Sequence, residues 1–236
     1  MPSETDPAKA AAARTAVERL VRPGLRLALG TGSTAAFALR AMAELFPKAH
    51  FDCVASSRAT EELARSLGLP VRPLVAEDRF DLMIDGADEV TPAFALTKGG
   101  GGALLREKLL AHLSIQVAIV VDRTKLVHAL GERSPIPVEV VPFARPTLER
   151  EFLDEGYRVR WRTGADGKPF RTDNGNELID LSPRSPIQDP AETAQRLRAH
   201  VGVVETGIFV GLAHRLFVGA LDGTVEERQA PTPPVS

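Results

Sequence analysis

Between Asp85 and Glu107 the chain sets out two carboxylates in Asp85-Gly86-Ala87-Asp88, an ammonium at Lys98, four glycines, Gly99 to Gly102, and a third carboxylate, Glu107. These groups suit a small polar anion. The acids accept hydroxyls, the lysine supplies charge, and glycines without a Cβ bring peptide N–H groups close to a ligand. A second cluster stands upstream at Gly30-Thr31-Gly32-Ser33-Thr34. Its glycines permit a tight turn, a following helix offers its first N–H groups, and three hydroxyls flank them, which is the chemistry of a phosphate cradle or a sugar site. A third cluster is Asp122-Arg123-Thr124-Lys125, in which Lys125 taken alone reads as a solvated surface lysine.

The elements that must carry these groups can be read from periodicity. The apolar run Phe80, Leu82, Met83, Ile84 predicts a buried strand with Asp85 and Asp88 at its carboxyl end, the edge of an open α/β sheet where ligands bind. Residues 103–113 predict a helix whose dipole favours an anion near the glycine run. Leu105, Leu109 and Leu113, with Leu110 beside them, form its apolar stripe, so Glu107 is expected on a different side, facing a cleft. An isolated glutamate there would only complement the helix dipole.

Helices over 8–21, 35–45 and 60–67 alternate with strands over 25–29, 51–55, 71–74 and 115–121, as in a parallel, doubly wound sheet. That places the polar clusters on one edge. From Gly131 the order becomes strand 135–141, helix 147–153, strands 157–162, 170–172 and 177–181, helix 191–199 and strand 201–204, which suggests a small ferredoxin-like domain. The turn Asp173 to Asn176 reads as a plain hairpin turn. Residues 207–219 are apolar enough to return to the large sheet. Residues 1–7 read as disordered and 228–236 as a loose tail.

At 236 residues, 44% hydrophobic and 25% charged, the chain suits one large domain and one small one. A net charge of -2 without a basic cluster argues against a nucleic-acid partner. No apolar run is long enough to span a membrane and no signal peptide is visible, so a cytoplasmic location is expected. Cys53, the single cysteine, reads as buried and inert, and the five histidines lack ligand spacing. The pair Asp85 and Asp88 without further ligands makes a poor magnesium site, so no metal is expected. Gly30, Gly32 and Ala35 match the dinucleotide pattern G-x-G-x-x-A. The following strand, however, ends in Ser56-Ser57-Arg58-Ala59-Thr60, where a nicotinamide site would place an acid, and Asp52 stands at the wrong end.

Laid out in order, Gly30-Thr31-Gly32-Ser33-Thr34-Ala35, Asp85-Gly86-Ala87-Asp88-Glu89, Lys98-Gly99-Gly100-Gly101 with Arg106-Glu107-Lys108, Pro137-Val138-Glu139-Val140 and Thr172-Asp173-Asn174-Gly175-Asn176 resemble the ribose-5-phosphate isomerase A family. The segment after Gly207 matches less well. The resemblance implies an α/β fold: a Rossmann-like parallel sheet domain, residues 1–130 plus 205–236, with an inserted ferredoxin-like α+β domain, 131–204. It implies cofactor-free and metal-free interconversion of D-ribose 5-phosphate and D-ribulose 5-phosphate, a step of the non-oxidative pentose phosphate pathway, by a homo-oligomer that is usually a dimer. Carried over by position, Glu107 is the proton acceptor of a cis-enediolate mechanism, and Lys98 with the glycine N–H groups stabilises the enediolate. Asp85 and Asp88 orient sugar hydroxyls, and one of them moves the ring-opening proton. Substrate contacts fall on Thr31, Gly32, Ser33, Thr34, Asp85, Gly86, Ala87, Asp88, Lys98, Gly99, Gly100, Gly101 and Lys125. The phosphate is expected at the Gly30 to Thr34 loop or near Lys125. The competing readings are a nicotinamide-dependent dehydrogenase and a non-catalytic sugar-phosphate-binding regulator.

Overall fold

The computed structural model describes residues 7–231. Its first half runs α1 (Pro7–Leu20), β1 (Arg26–Leu29), α2 (Ser33–Leu45), β2 (Asp52–Ala55), α3 (Arg58–Ser66), β3 (Phe80–Asp85), β4 (Glu89–Val90), β5 (Leu96–Thr97), α4 (Leu104–His112) and β6 (Ser114–Asp122), then a 3-10 turn (Arg123–Lys125). The second half runs β7 (Ile136–Val140), a 3-10 turn (Pro142–Ala144), α5 (Arg145–Asp154), β8 (Arg158–Trp161), β9 (Glu177–Ser182), α6 (Pro190–Arg198), β10 (Val203–Thr206), β11 (Ile208–Phe209), β12 (Arg215–Gly219) and β13 (Val225–Gln229). These form two compact units: one made of the chain up to Ala87, Arg106–Lys125 and everything from Gly211, the other of Asp88–Leu105 and Leu126–Val210. The expectation of disorder at 1–7 falls on residues outside those described, except Pro7, which opens α1.

The first unit is the Rossmann-like one. Its six strands stand in the order β2-β1-β3-β6-β12-β13, parallel throughout except for the β12–β13 hairpin. The chain goes from β1 to β2 on one side and then crosses to β3 on the other, so the topological switch point lies between β1 and β3. Leu27, Leu29, Leu39, Met42, Leu82, Ile84, Val120 and Phe217 make the core. The alanines of α1 are packing residues: Ala8, Ala12, Ala13 and Ala16 are buried, and a Cβ on Gly219 of β12 would sit 1.9 Å from the Ala8 carbonyl oxygen. Only small side chains on both elements allow that approach.

Two expectations about strands and termini fail in this unit. Residues 71–74 are not a strand; Val71 makes one parallel bridge to Cys53, because Pro70 and Pro73 interrupt the backbone donors on either side. The edge is held by side chains instead, with Arg72 forked onto Asp52 at 2.6 and 2.7 Å and onto the fully buried Asp78 at 2.7 Å. At the other edge, Arg228 and Gln229 belong to β13 and not to a loose tail, while 232–236 lie outside the described residues. Glu226, Glu227 and Arg228 disguised this strand, since charge is what an edge strand carries to discourage further pairing.

The second unit holds an antiparallel sheet in the order β10-β7-β9-β8, with α5 and α6 inserted as β7-α5-β8-β9-α6-β10, the ferredoxin-like arrangement. Ile136, Val138 and Val140 alternate onto one face and pack with Leu148, Phe152, Ile179, Leu181 and Leu197. Residues 170–172 do not form a strand, and Arg171 makes only a single bridge to Glu177. The backbone is turned there because Thr172 Oγ1 accepts from the N–H groups of both Asn174 and Asn176. The Asn-Gly turn is more than a hairpin: Thr172 Oγ1 and the side-chain amides of Asn174 and Asn176 all donate to Oε1 of buried Glu139. A further three-stranded sheet, β11-β5-β4, escaped prediction, as two-residue strands carry no period to read.

Candidate active site

At the switch point of the first unit, Asp85 ends β3 fully buried, and its Oδ1 accepts from the N–H groups of Thr31 at 3.1 Å and Gly86 at 2.8 Å. One carboxylate oxygen thus ties the loop after β1 to the loop after β3. Gly30 is glycine because a Cβ there would lie 2.2 Å from Asp85 Cγ. Gly86 leaves room for Thr34, whose Cβ would stand 3.2 Å from a side chain at 86. α2 begins at Ser33 behind Gly32, which has a φ of 93° and leaves the helix without a side-chain cap. Its first N–H groups therefore keep their affinity for an anion.

Residues beyond β2 support this turn. Ser56 Oγ lies 2.6 Å from Thr31 Oγ1, Thr60 Oγ1 donates to the Gly30 carbonyl at 2.9 Å, and Ser57 donates to Thr60 while capping α3. The position where a dinucleotide fold would hold a ribose with an acid is thus spent on bracing the glycine turn. The hydroxyl-rich end of β2 was visible in the sequence, though its role as a brace was not.

Glu107 lies in the first turn of α4 and is 3% exposed. The expected stripe is corrected here. Leu109 is 45% exposed, and the buried side of the helix carries Leu104, Glu107, Leu110 and Ala111. Leucines on nearly every side of α4 offer two alternative stripes, and spacing alone cannot choose between them. Glu107 therefore sits on the enclosed face, where a carboxylate is costly unless it has a partner or a task.

At the end of β6, Asp122 Oδ1 accepts from Thr124 N at 2.8 Å and from the Thr124 hydroxyl, and its Oδ2 lies 3.4 Å from Lys9 Nζ of α1. Burial raises the Asp122 carboxyl, but the Thr124 bonds and Lys9 outweigh it and hold it below the usual carboxylate range. Lys125, itself half-buried, closes the exposed 3-10 turn that follows. Lys9 was missed because one lysine in an alanine-rich helix carries no motif.

The second unit assembles the other group. Asp88 Oδ2 accepts from Gly100 N–H at 2.8 Å, and a Cβ on Gly100 would lie 2.6 Å from Asp88 Oδ1. Lys98 is 4% exposed; its N–H donates to the Gly207 carbonyl at 2.8 Å, and its Nζ stands 5.6 Å from the centre of the Phe209 ring. A Cβ on Gly207 would meet the Lys98 carbonyl at 2.2 Å, so that glycine, outside every motif read from the sequence, is what lets the Lys98 strand lie flat. Gly99, with a φ of 106°, bends the chain against Leu104 and Pro137. Glu89 is fully buried and gathers the N–H groups of Gly131, Arg133 and Ser134 at 2.7 to 2.9 Å, fixing the loop before β7. Among the described residues, no group of three or more His, Cys, Asp or Glu is arranged to hold a metal ion.

The family model for ribose 5-phosphate isomerase A (phosphoriboisomerase A) matches residues 52–223. The chain is 47% identical over 224 residues to ribose-5-phosphate isomerase A of Chloroflexus aurantiacus, covering 94% of this chain and 93% of that one. Among solved structures, ribose 5-phosphate isomerase A of Methanocaldococcus jannaschii superposes with a TM-score of 0.88 at 35% identity, covering 96% of this chain and 100% of the other. A D-ribose-5-phosphate isomerase in complex with phospho-erythronic acid gives 0.89 at 32% identity over 94% and 97% of the two chains. The switch-point loops, the glycine run and the buried glutamate described above thus stand in a chain that belongs to the ribose-5-phosphate isomerase A family.

Proposed function

We propose that the protein interconverts D-ribose 5-phosphate and D-ribulose 5-phosphate through a cis-enediolate, with Glu107 as the base. The observation that carries this is a carboxylate placed on the enclosed face of α4, 3% exposed, where the apolar spacing of a plain structural helix would have put a leucine. One carboxylate suffices for the reaction. It takes the proton from C2 as the electrons move to O1, the O2 hydroxyl proton passes to O1, and the carboxyl returns its proton to C1 on the same face as the C2 carbonyl forms.

The enediolate carries negative charge on its oxygens. Lys98 and the glycine run supply the counter-charge, each preorganised donor contributing roughly 3 to 4 kcal/mol. Within the run, Gly100 N–H serves Asp88 and Gly102 N–H serves the Gly99 carbonyl, which narrows the donors to Gly99 and Gly101. Asp85 and Asp88 orient the sugar hydroxyls, and the proton that opens the furanose ring moves through this pair. The phosphate lies on the uncapped start of α2, against Gly32, Ser33 and Thr34, and Lys125 adds charge toward it. Support comes from the family and from the solved relative that holds phospho-erythronic acid, a phosphorylated sugar acid. No cofactor takes part, and the working assembly is a homodimer.

The test is direct: purified protein is incubated with D-ribose 5-phosphate, with EDTA present and nothing else added, and ketose formation is followed. Ribulose 5-phosphate should appear at a rate proportional to protein concentration. Folded protein that produces none overturns the proposal.

A further inference from the structure

In the second unit, Arg162, the residue after β8, lies across the glycine run. Its Nη1 donates to the carbonyl oxygens of Gly99 at 2.8 Å and Gly100 at 3.1 Å. Its Nε and Nη2 form a fork on Asp180 of β9, a carboxylate 1% exposed that Arg160 also reaches at 3.1 Å. The Arg162 side chain is itself only 17% exposed. From the other side, Asp88 accepts the Gly100 N–H. The run is thus gripped through a carbonyl and an N–H at once.

We propose that Arg162 is a positioning residue for the isomerisation, fixing and polarising the Gly100–Gly101 peptide unit that faces the enediolate and the Gly99–Gly100 unit that holds Asp88. The inference rests on the proposed reaction and deepens it. Consecutive glycines lose more backbone freedom on ordering than any other residues and have no side chains with which to hold themselves. Arg162 provides the missing anchor. A peptide's carbonyl and N–H belong to one conjugated unit, so the Gly99 oxygen is coupled to Gly100 N–H and the Gly100 oxygen to Gly101 N–H. A cation on the oxygen makes the N–H at the other end a stronger donor. The first unit so strengthened holds Asp88, and the second offers Gly101 N–H to the substrate. Arginine is required because its planar fork serves two carbonyls and two carboxylate oxygens together, which a lysine ammonium cannot.

The experiment compares wild type, Arg162→Lys, and a double variant, Arg162→Met with Asp180→Asn, which removes the clamp without stranding a buried carboxylate. Wild-type turnover tests the reaction itself, and the ratios between variants test the clamp, so the two failures are distinguishable. The double variant should lose about 10- to 100-fold in kcat with KM within about threefold. Arg162→Lys, keeping the charge but not the planar fork, should recover part of that loss, and the pH limbs of kcat/KM should stay where the wild type has them. A double variant within about threefold of wild-type kcat overturns the inference, as does a loss confined to KM. Should the double variant fail to fold, Arg162→Lys decides alone, and wild-type kcat in that variant overturns the inference.

Discussion

At the residue scale, Asp85 depends on a neighbour that has no side chain at all. Asp85 can accept two loop N–H groups only because position 30 has no side chain. Gly30→Ala should force Asp85 aside, break its bond to Thr31, and cost about 1 to 3 kcal/mol of stability. Isomerase activity should fall at least about tenfold, as expected when positioning groups shift by an ångström; urea unfolding and initial rates check both. For Glu107 the expectation is different in kind. Glu107→Gln keeps the shape and loses the base, so kcat should fall by about 10² to 10⁴ while KM stays within about threefold. Steady-state kinetics decide this, and a variant with near-native kcat would remove Glu107 from the mechanism.

At the scale of elements, the edge beside β2 is held by charge. Asp78 accepts from Arg72 twice, from Arg26 at 2.6 Å and from Val75 N–H at 2.8 Å. The Arg72 bonds, more than burial opposes them, hold its carboxyl well below the usual range. A folded-state value below the unfolded one contributes stability above pH ~3.9, lost as the pH falls toward the folded value. Asp78→Asn should therefore cost about 1 to 3 kcal/mol at pH 7, since the arginines are partly solvated, and the gap to wild type should narrow at pH 3. Equal gaps at both pH values would refute the assignment. This network also shows where sequence reading stopped. The strand ending at Asp85 and the helix of Glu107 were legible, because long apolar runs and phosphate-type glycine turns carry their own period and chemistry. Arg72, Arg162 and Glu139 were not, since Arg162 and Glu139 find their partners far along the chain and those of Arg72 lie in two separate segments. β13 was hidden by its charges, and the orientation of α4 by leucines on every side.

At the scale of the whole molecule, the expected homodimer can be weighed against the surface. In the second unit Phe143 is 95% exposed, Val201 92% and Val141 42%, with Val141 N–H bonded to the neighbouring Gly202 carbonyl at 2.8 Å. Contiguous apolar residues of this size suit a covered surface. Sedimentation equilibrium should give a mass twice that of the 25.4 kDa chain; a single-chain mass at micromolar concentration would reject the dimer. Among the described residues, no helix is long and apolar enough to cross a membrane. The threading of the chain has a consequence of its own. It passes from one compact unit to the other after Ala87, Leu105, Lys125 and Val210. The first three of those passages fall beside Asp88, Glu107 and Lys125. Dividing the chain at its unit boundaries would therefore cut beside residues proposed to carry the reaction. Each unit is thus assembled from segments that are discontinuous in the sequence, so neither could be excised as a single stretch of chain.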